Sequence, residues 1–74
     1  MSKGKPWAVI LIGQNGRTST KHTSQQNAYD AVFEEQGRIA GGTSGTTGIE
    51  IRQYDTTWGK WDLYERFTGE DLGL

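Results

Sequence analysis

The side chains of this 74-residue chain that could do chemistry are few, and their spacing excludes most catalytic arrangements. His22 is the sole histidine and is flanked by Ser19, Thr20 and Ser24. A hydroxyl nucleophile needs a base within hydrogen-bond reach, and that base needs a group to orient it. No acid is local to His22, so it reads as a solvated strand residue. Paired carboxylates occur at Glu34-Glu35 and Glu70-Asp71. Acid–base catalysis needs an enclosed site that separates their pKa values. The first pair is expected on the outer side of a helix and the second in the tail, so both read as solvated charge. The stretch Gly41–Gly48 (GGTSGTTG) has the glycines of a phosphate loop. It carries no lysine, however, and it leaves a helix rather than entering one. We read it as a flexible linker. Cysteine is absent, which removes disulfides and thiolate metal ligands, and no cofactor is expected. The expectation is a protein that is not an enzyme.

A different set of side chains suits binding. Arg52, Tyr54, Tyr64 and Arg66 alternate along two segments near the C-terminus, and Trp58 lies between them. Tyrosine, tryptophan and arginine are the residues enriched where binding energy concentrates. The N-terminal part adds Lys3, Lys5, Arg17 and Lys21 with no acids over residues 1–22. Residues 23–74 hold all nine acids against four basic residues, so the two parts are +4 and −5 and the whole chain is −1.

These residues must be held by a small scaffold. At 74 residues there is room for one domain and one core, and only 32% of residues are hydrophobic. Residues 1–6 read as a flexible N-terminal arm, 7–67 as the domain and 68–74 as a flexible C-terminal tail. Lys3 and Lys5 precede an apolar run from Trp7 to Ile12, which is shorter than the core of a secretory signal and far shorter than a membrane span. A cytoplasmic location, with no membrane contact, is the expectation.

Trp7–Ile12 is a short run rich in β-branched residues ending at a turn signal, hence a buried strand. Asn15-Gly16 suits a tight hairpin turn, because both central residues need positive φ. Arg17–Thr23 is polar and Thr-rich, which fits an exposed edge strand with Lys21 discouraging further pairing. Ser24 is a good N-cap for a helix over 25–39. At 100° per residue Ala28, Tyr29, Val32, Phe33, Ile39 and Ala40 share one arc, which is its expected buried face. Two alternating segments come next, 49–55 and 61–67, joined by a loop over 56–60. The fold class expected is α+β, ββαββ, a four-stranded antiparallel sheet with one helix packed on one face.

With that five-residue loop, 55 pairs with 61, 53 with 63, 51 with 65 and 49 with 67. Ile49, Ile51, Trp61, Leu63 and Phe67 then face the helix. The open face receives Glu50 opposite Arg66, Arg52 opposite Tyr64 and Tyr54 opposite Asp62. One helix covers one face, yet the first strand is apolar on both. An apolar stripe rimmed by tyrosine and arginine is therefore expected on the open side, and such patches mark contact sites. The reading is a non-catalytic protein-binding module that uses Trp58, Tyr54, Tyr64, Arg52 and Arg66. Its partner would be a foreign protein or a second copy in a homodimer. The alternative is a single-stranded nucleic-acid binder that stacks bases on the same aromatic and basic sheet face, with Lys3, Lys5, Arg17 and Lys21 assisting on phosphates; Glu50 and Asp62 on that face and the negative net charge count against it. In size, lack of cysteine and α+β design the chain is similar to phage or mobile-element accessory proteins, which implies an inhibitor or adaptor.

Overall fold

The computed structural model describes residues 5–14 and 16–73. The elements are strands β1 (Trp7–Gly13) and β2 (Gly16–His22), helix α1 (Gln25–Ala40), strands β3 (Thr46–Asp55) and β4 (Lys60–Thr68), and a 3-10 turn at Gly69–Leu72. The strands form one antiparallel sheet in the order β2-β1-β3-β4, with α1 on one face. This is the expected ββαββ α+β fold, and β1 is central, as two-sided apolarity requires. No helix among the described residues is long and apolar enough to cross a membrane.

The first hairpin pairs Gly13 with Gly16, which sets the turn one residue earlier than a turn centred on Asn15-Gly16. Asn15 itself lies outside the described residues. The shift between the two registers is two residues, an even number, so each side chain keeps its expected face. Trp7, Val9 and Leu11 point to the helix; Ala8, Ile10 and Ile12 point to the open side, opposite Lys21, Ser19 and Arg17. Tyr54 donates its backbone N–H to Pro6 O at 2.8 Å, so β1–β3 pairing reaches into the expected N-terminal arm. Residues 1–4 of that arm lie outside the described residues.

Ser24 caps α1 as expected, accepting from Asn27 N at 3.1 Å. The helix is rolled relative to its apolar arc. Ala28, Val32, Glu35 and Ile39 face the sheet, whereas Phe33 and Ala40 are exposed. The expectation that Glu35 lies on the outer side is corrected: it is 4% exposed. Its Oε1 accepts from Arg38 Nε at 2.9 Å and Nη2 at 2.8 Å. Its Oε2 accepts from the hydroxyls of Ser44 and Thr46, the latter at 2.6 Å. A buried carboxylate is tolerated when its lone pairs are filled in this way. The same bonds correct the linker reading of 41–48. Gly42 takes a positive φ of 76° just beyond the helix, and from Ser44 onward the segment is fastened, with β3 already begun at Thr46.

Where a tail is expected from 68, the chain forms the 3-10 turn Gly69–Leu72 and is described through Gly73. Thr68 and Asp71 form a capping box, and Leu72 enters the core beside Ile49, Ile51, Val9 and Val32. Burying a leucine contributes roughly 1.5–3 kcal/mol, enough to hold a four-residue turn that its local sequence would not stabilise.

Candidate binding face

The β3–β4 hairpin builds the site, and its turn departs from expectation. Asp55 Oδ1 accepts from Thr57 N at 2.8 Å and Trp58 N at 3.2 Å, and Asp55 O accepts from Gly59 N at 2.7 Å. Gly59 supplies φ 65°, as expected near the end of the loop. The turn therefore closes on Asp55 paired with Lys60, a four-residue loop instead of five. Farther along, the expected register holds: Ile51 with Glu65, Glu50 with Arg66, Ile49 with Phe67. One residue is left over between the two registers, and it is absorbed as a β-bulge at Tyr64.

A one-residue shift exchanges faces on the turn side of the bulge. Trp61 and Leu63, expected against the helix, lie on the open face, opposite Tyr54 and Arg52. Asp62, expected on the open face, lies on the helix side opposite Gln53. Tyr64 leaves the expected binding set: its ring meets Trp7 edge-on with centroids 4.9 Å apart, and its hydroxyl accepts from Gln25 Nε2 at 2.9 Å. Next to it Tyr29 donates to Glu65, and that bond, helped by burial and by the carboxylate's charge, pushes the phenol up to about 12.

Among the described residues the open face thus carries Arg17, Lys21, Arg52 and Arg66, with Glu50 as its one acid. Glu50 is 5% exposed, and Arg52 and Arg66 lie on either side of it. Its Oε1 accepts from Arg52 Nε at 3.1 Å and Nη2 at 2.9 Å; its Oε2 accepts from Arg66 Nε at 3.2 Å and Nη2 at 2.9 Å. Burial pushes the Glu50 carboxyl up, but the hydrogen bonds and charge of the two guanidiniums outweigh this and hold it below the usual range. Four cations against one anion leave the described residues of this face with three positive charges, on a chain whose net charge is −1. The other eight acids lie on α1, at helix-side positions of β3 and β4, or in the 3-10 turn.

The apolar stripe expected along β1 is partly roofed. Lys21 Nζ reaches to 5.4 Å from the Trp61 ring although β1 and β3 lie between their strands, and Ala8, the β1 partner of Lys21, is buried. Trp61 in turn meets Tyr54 at 5.2 Å between centroids. Ile10 and Ile12 are half-buried. On this face the exposed large apolar side chains sit instead toward the hairpin, in Tyr54, Leu63 and above all Trp58, which is 75% exposed at the tip.

Of the residues expected to bind, Trp58, Tyr54, Arg52 and Arg66 are brought to one face or its tip, together with Arg17 and Lys21. Tyr64 is not. Lys5 is exposed ahead of β1, and Lys3 lies outside the described residues. Sequence reasoning missed Trp61 and Leu63. The signal that could have found them is Asp55 four residues before Gly59, a side chain able to fold the turn and shorten the loop.

Elsewhere, His22 Nε2 and Thr20 Oγ1 lie 2.8 Å apart on the edge strand. A depression of about 320 Å³ beside the first hairpin has Arg17 as the one charged group among its described lining residues. Comparison with known proteins brings no relative to set beside this site: no family model, curated protein or solved structure matches the chain.

Proposed function

We propose that the protein is a non-catalytic binding module whose open sheet face and Trp58 tip receive an anionic macromolecular partner. The observation that carries this is the segregation of charge, with four cations on the face and its single acid buried between two of them. A patch of one sign raises the local concentration of oppositely charged partners and speeds their encounter, whatever the net charge of the whole. The aromatic end supplies contact area that stays exposed in the free protein. The non-catalytic half of the reading draws support from the two buried carboxylates, each of which is engaged by neighbours that hold the fold together. A second copy docked face to face would oppose like charges, which is costly, so the occupant we favour is a foreign one.

Retention on immobilised heparin, a polyanion without bases, tests the reading. The wild-type chain is expected to bind at low salt despite its negative net charge, and the double variant Arg17→Glu/Lys21→Glu to pass through. Wild type in the flow-through, or equal retention of both, would overturn it.

A further inference from the structure

We infer that the anionic partner is single-stranded nucleic acid; this rests on the binding-face reading above and names its occupant. Two features of the face go beyond charge. First, aromatic rings adjoin the cations at one end: Tyr54 and Trp61 pack against each other, Lys21 lies over Trp61, and Trp58 stands free at the tip. Bases stack on such rings in any sequence, because every base has a π-face. Second, the Arg52–Glu50–Arg66 group fixes two guanidiniums before any ligand arrives. Glu50 takes Nε and Nη2 of each, which leaves both Nη1 ends uncommitted to it, and the group keeps one net positive charge. Fixed guanidinium ends suit phosphate oxygens, and their order is already set by the fold.

The face therefore offers a phosphate track along Arg17, Lys21, Arg52 and Arg66 and a stacking end at Tyr54, Trp58 and Trp61. The acids that weighed against this reading no longer do: the bulge carries Asp62 to the helix side, and Glu50 is buried and paired. The acidic helix side repels a polyanion and orients it toward the sheet. Duplex DNA keeps its bases stacked inside, so the aromatic end gains nothing from it. The preference is for single strands.

Anisotropy of a fluorescein-labelled twelve-residue oligothymidylate, titrated with the full chain, tests the inference, with a duplex of equal length and polyglutamate as comparators. With up to four phosphates neutralised, log affinity should fall against log salt with a slope of about −2 to −3. The single strand should bind tighter than the duplex or polyglutamate. Trp58→Ala should weaken single-strand binding roughly 5- to 150-fold, the range for loss of one stacked base. Lys21→Ala, which removes one phosphate contact, should make the slope about 0.7 shallower. Polyglutamate binding as tightly as the oligonucleotide, with Trp58→Ala unchanged on the latter, would overturn the inference in favour of an acidic protein partner while leaving the binding face standing. No binding to oligonucleotide, polyglutamate or heparin would remove both.

Discussion

Glu35 and Glu50 are the two buried carboxylates among the described residues, one on each side of the sheet, and they are built differently. Glu35 meets one arginine and two hydroxyls; its charge is cancelled and its lone pairs are filled from the loop it restrains. Glu50 meets two arginines and no hydroxyl, so a positive charge is left over at the surface. Both carboxyls are held below the usual range against the effect of burial, Glu35 by Ser44, Thr46 and Arg38, Glu50 by Arg52 and Arg66. The lesson is that a buried acid has different consequences according to the stoichiometry of its partners. A one-to-one pairing ends at structure, and a one-to-two pairing leaves oriented charge for a ligand.

The largest effect should come from Glu35→Ala. It strands the Ser44 and Thr46 hydroxyls and frees the 41–45 loop, while Arg38, half in solvent, can rehydrate. A loss of about 2 kcal/mol is expected in urea unfolding. An unchanged midpoint would mean the contact is incidental. Glu50→Gln should cost less, about 1 kcal/mol, because one amide oxygen can still accept from an arginine. It should also strengthen heparin retention, since the face loses its one negative charge; Glu35→Gln should leave retention as it is. Opposite behaviour of the two variants would erase the distinction drawn between them.

Acid sharpens the same comparison. A carboxylate whose folded pKa is depressed contributes stability that is fully present above its ordinary value of 4.5 and is lost as pH falls through the lower folded value. Wild type should therefore lose stability below pH 4.5, and the double variant Glu35→Gln/Glu50→Gln should lose less over that range. Parallel pH curves for the two would show that other groups dominate. The smallest stability effect belongs to Trp58→Ala. The ring is mostly in solvent, so the melting temperature should stay within about 0.5 kcal/mol equivalent of wild type. A larger drop would show that Trp58 is a lid for the sheet and not a contact for a partner.

Much of this molecule is written locally. The run Trp7–Ile12, the Ser24 cap, the helix length, the alternation of 49–55 and the polar edge strand each follow from a few neighbouring residues, and with them come the element order and the central place of β1. The positions of Arg17, Lys21, Arg52, Tyr54 and Trp58 in the site were legible for the same reason, because side chains alternate along a strand whatever its partner. Three things were decided by contacts between segments far apart in sequence. The helix rolled to bury Glu35 because hydroxyls arriving from Ser44 and Thr46 could satisfy it, leaving Phe33 outside. The 3-10 turn lies against the domain because Leu72 packs into the core. The bulge at Tyr64 arose because the Asp55 turn set one register and the packing of Ile49 and Phe67 set another, one residue apart. That single residue moved Trp61 and Leu63 to the open face and Asp62 and Tyr64 away from it. Alternation is a property of each strand alone, whereas its phase is a property of two strands and everything packed against them, so the chain could announce a binding face without fixing which side chains would form it.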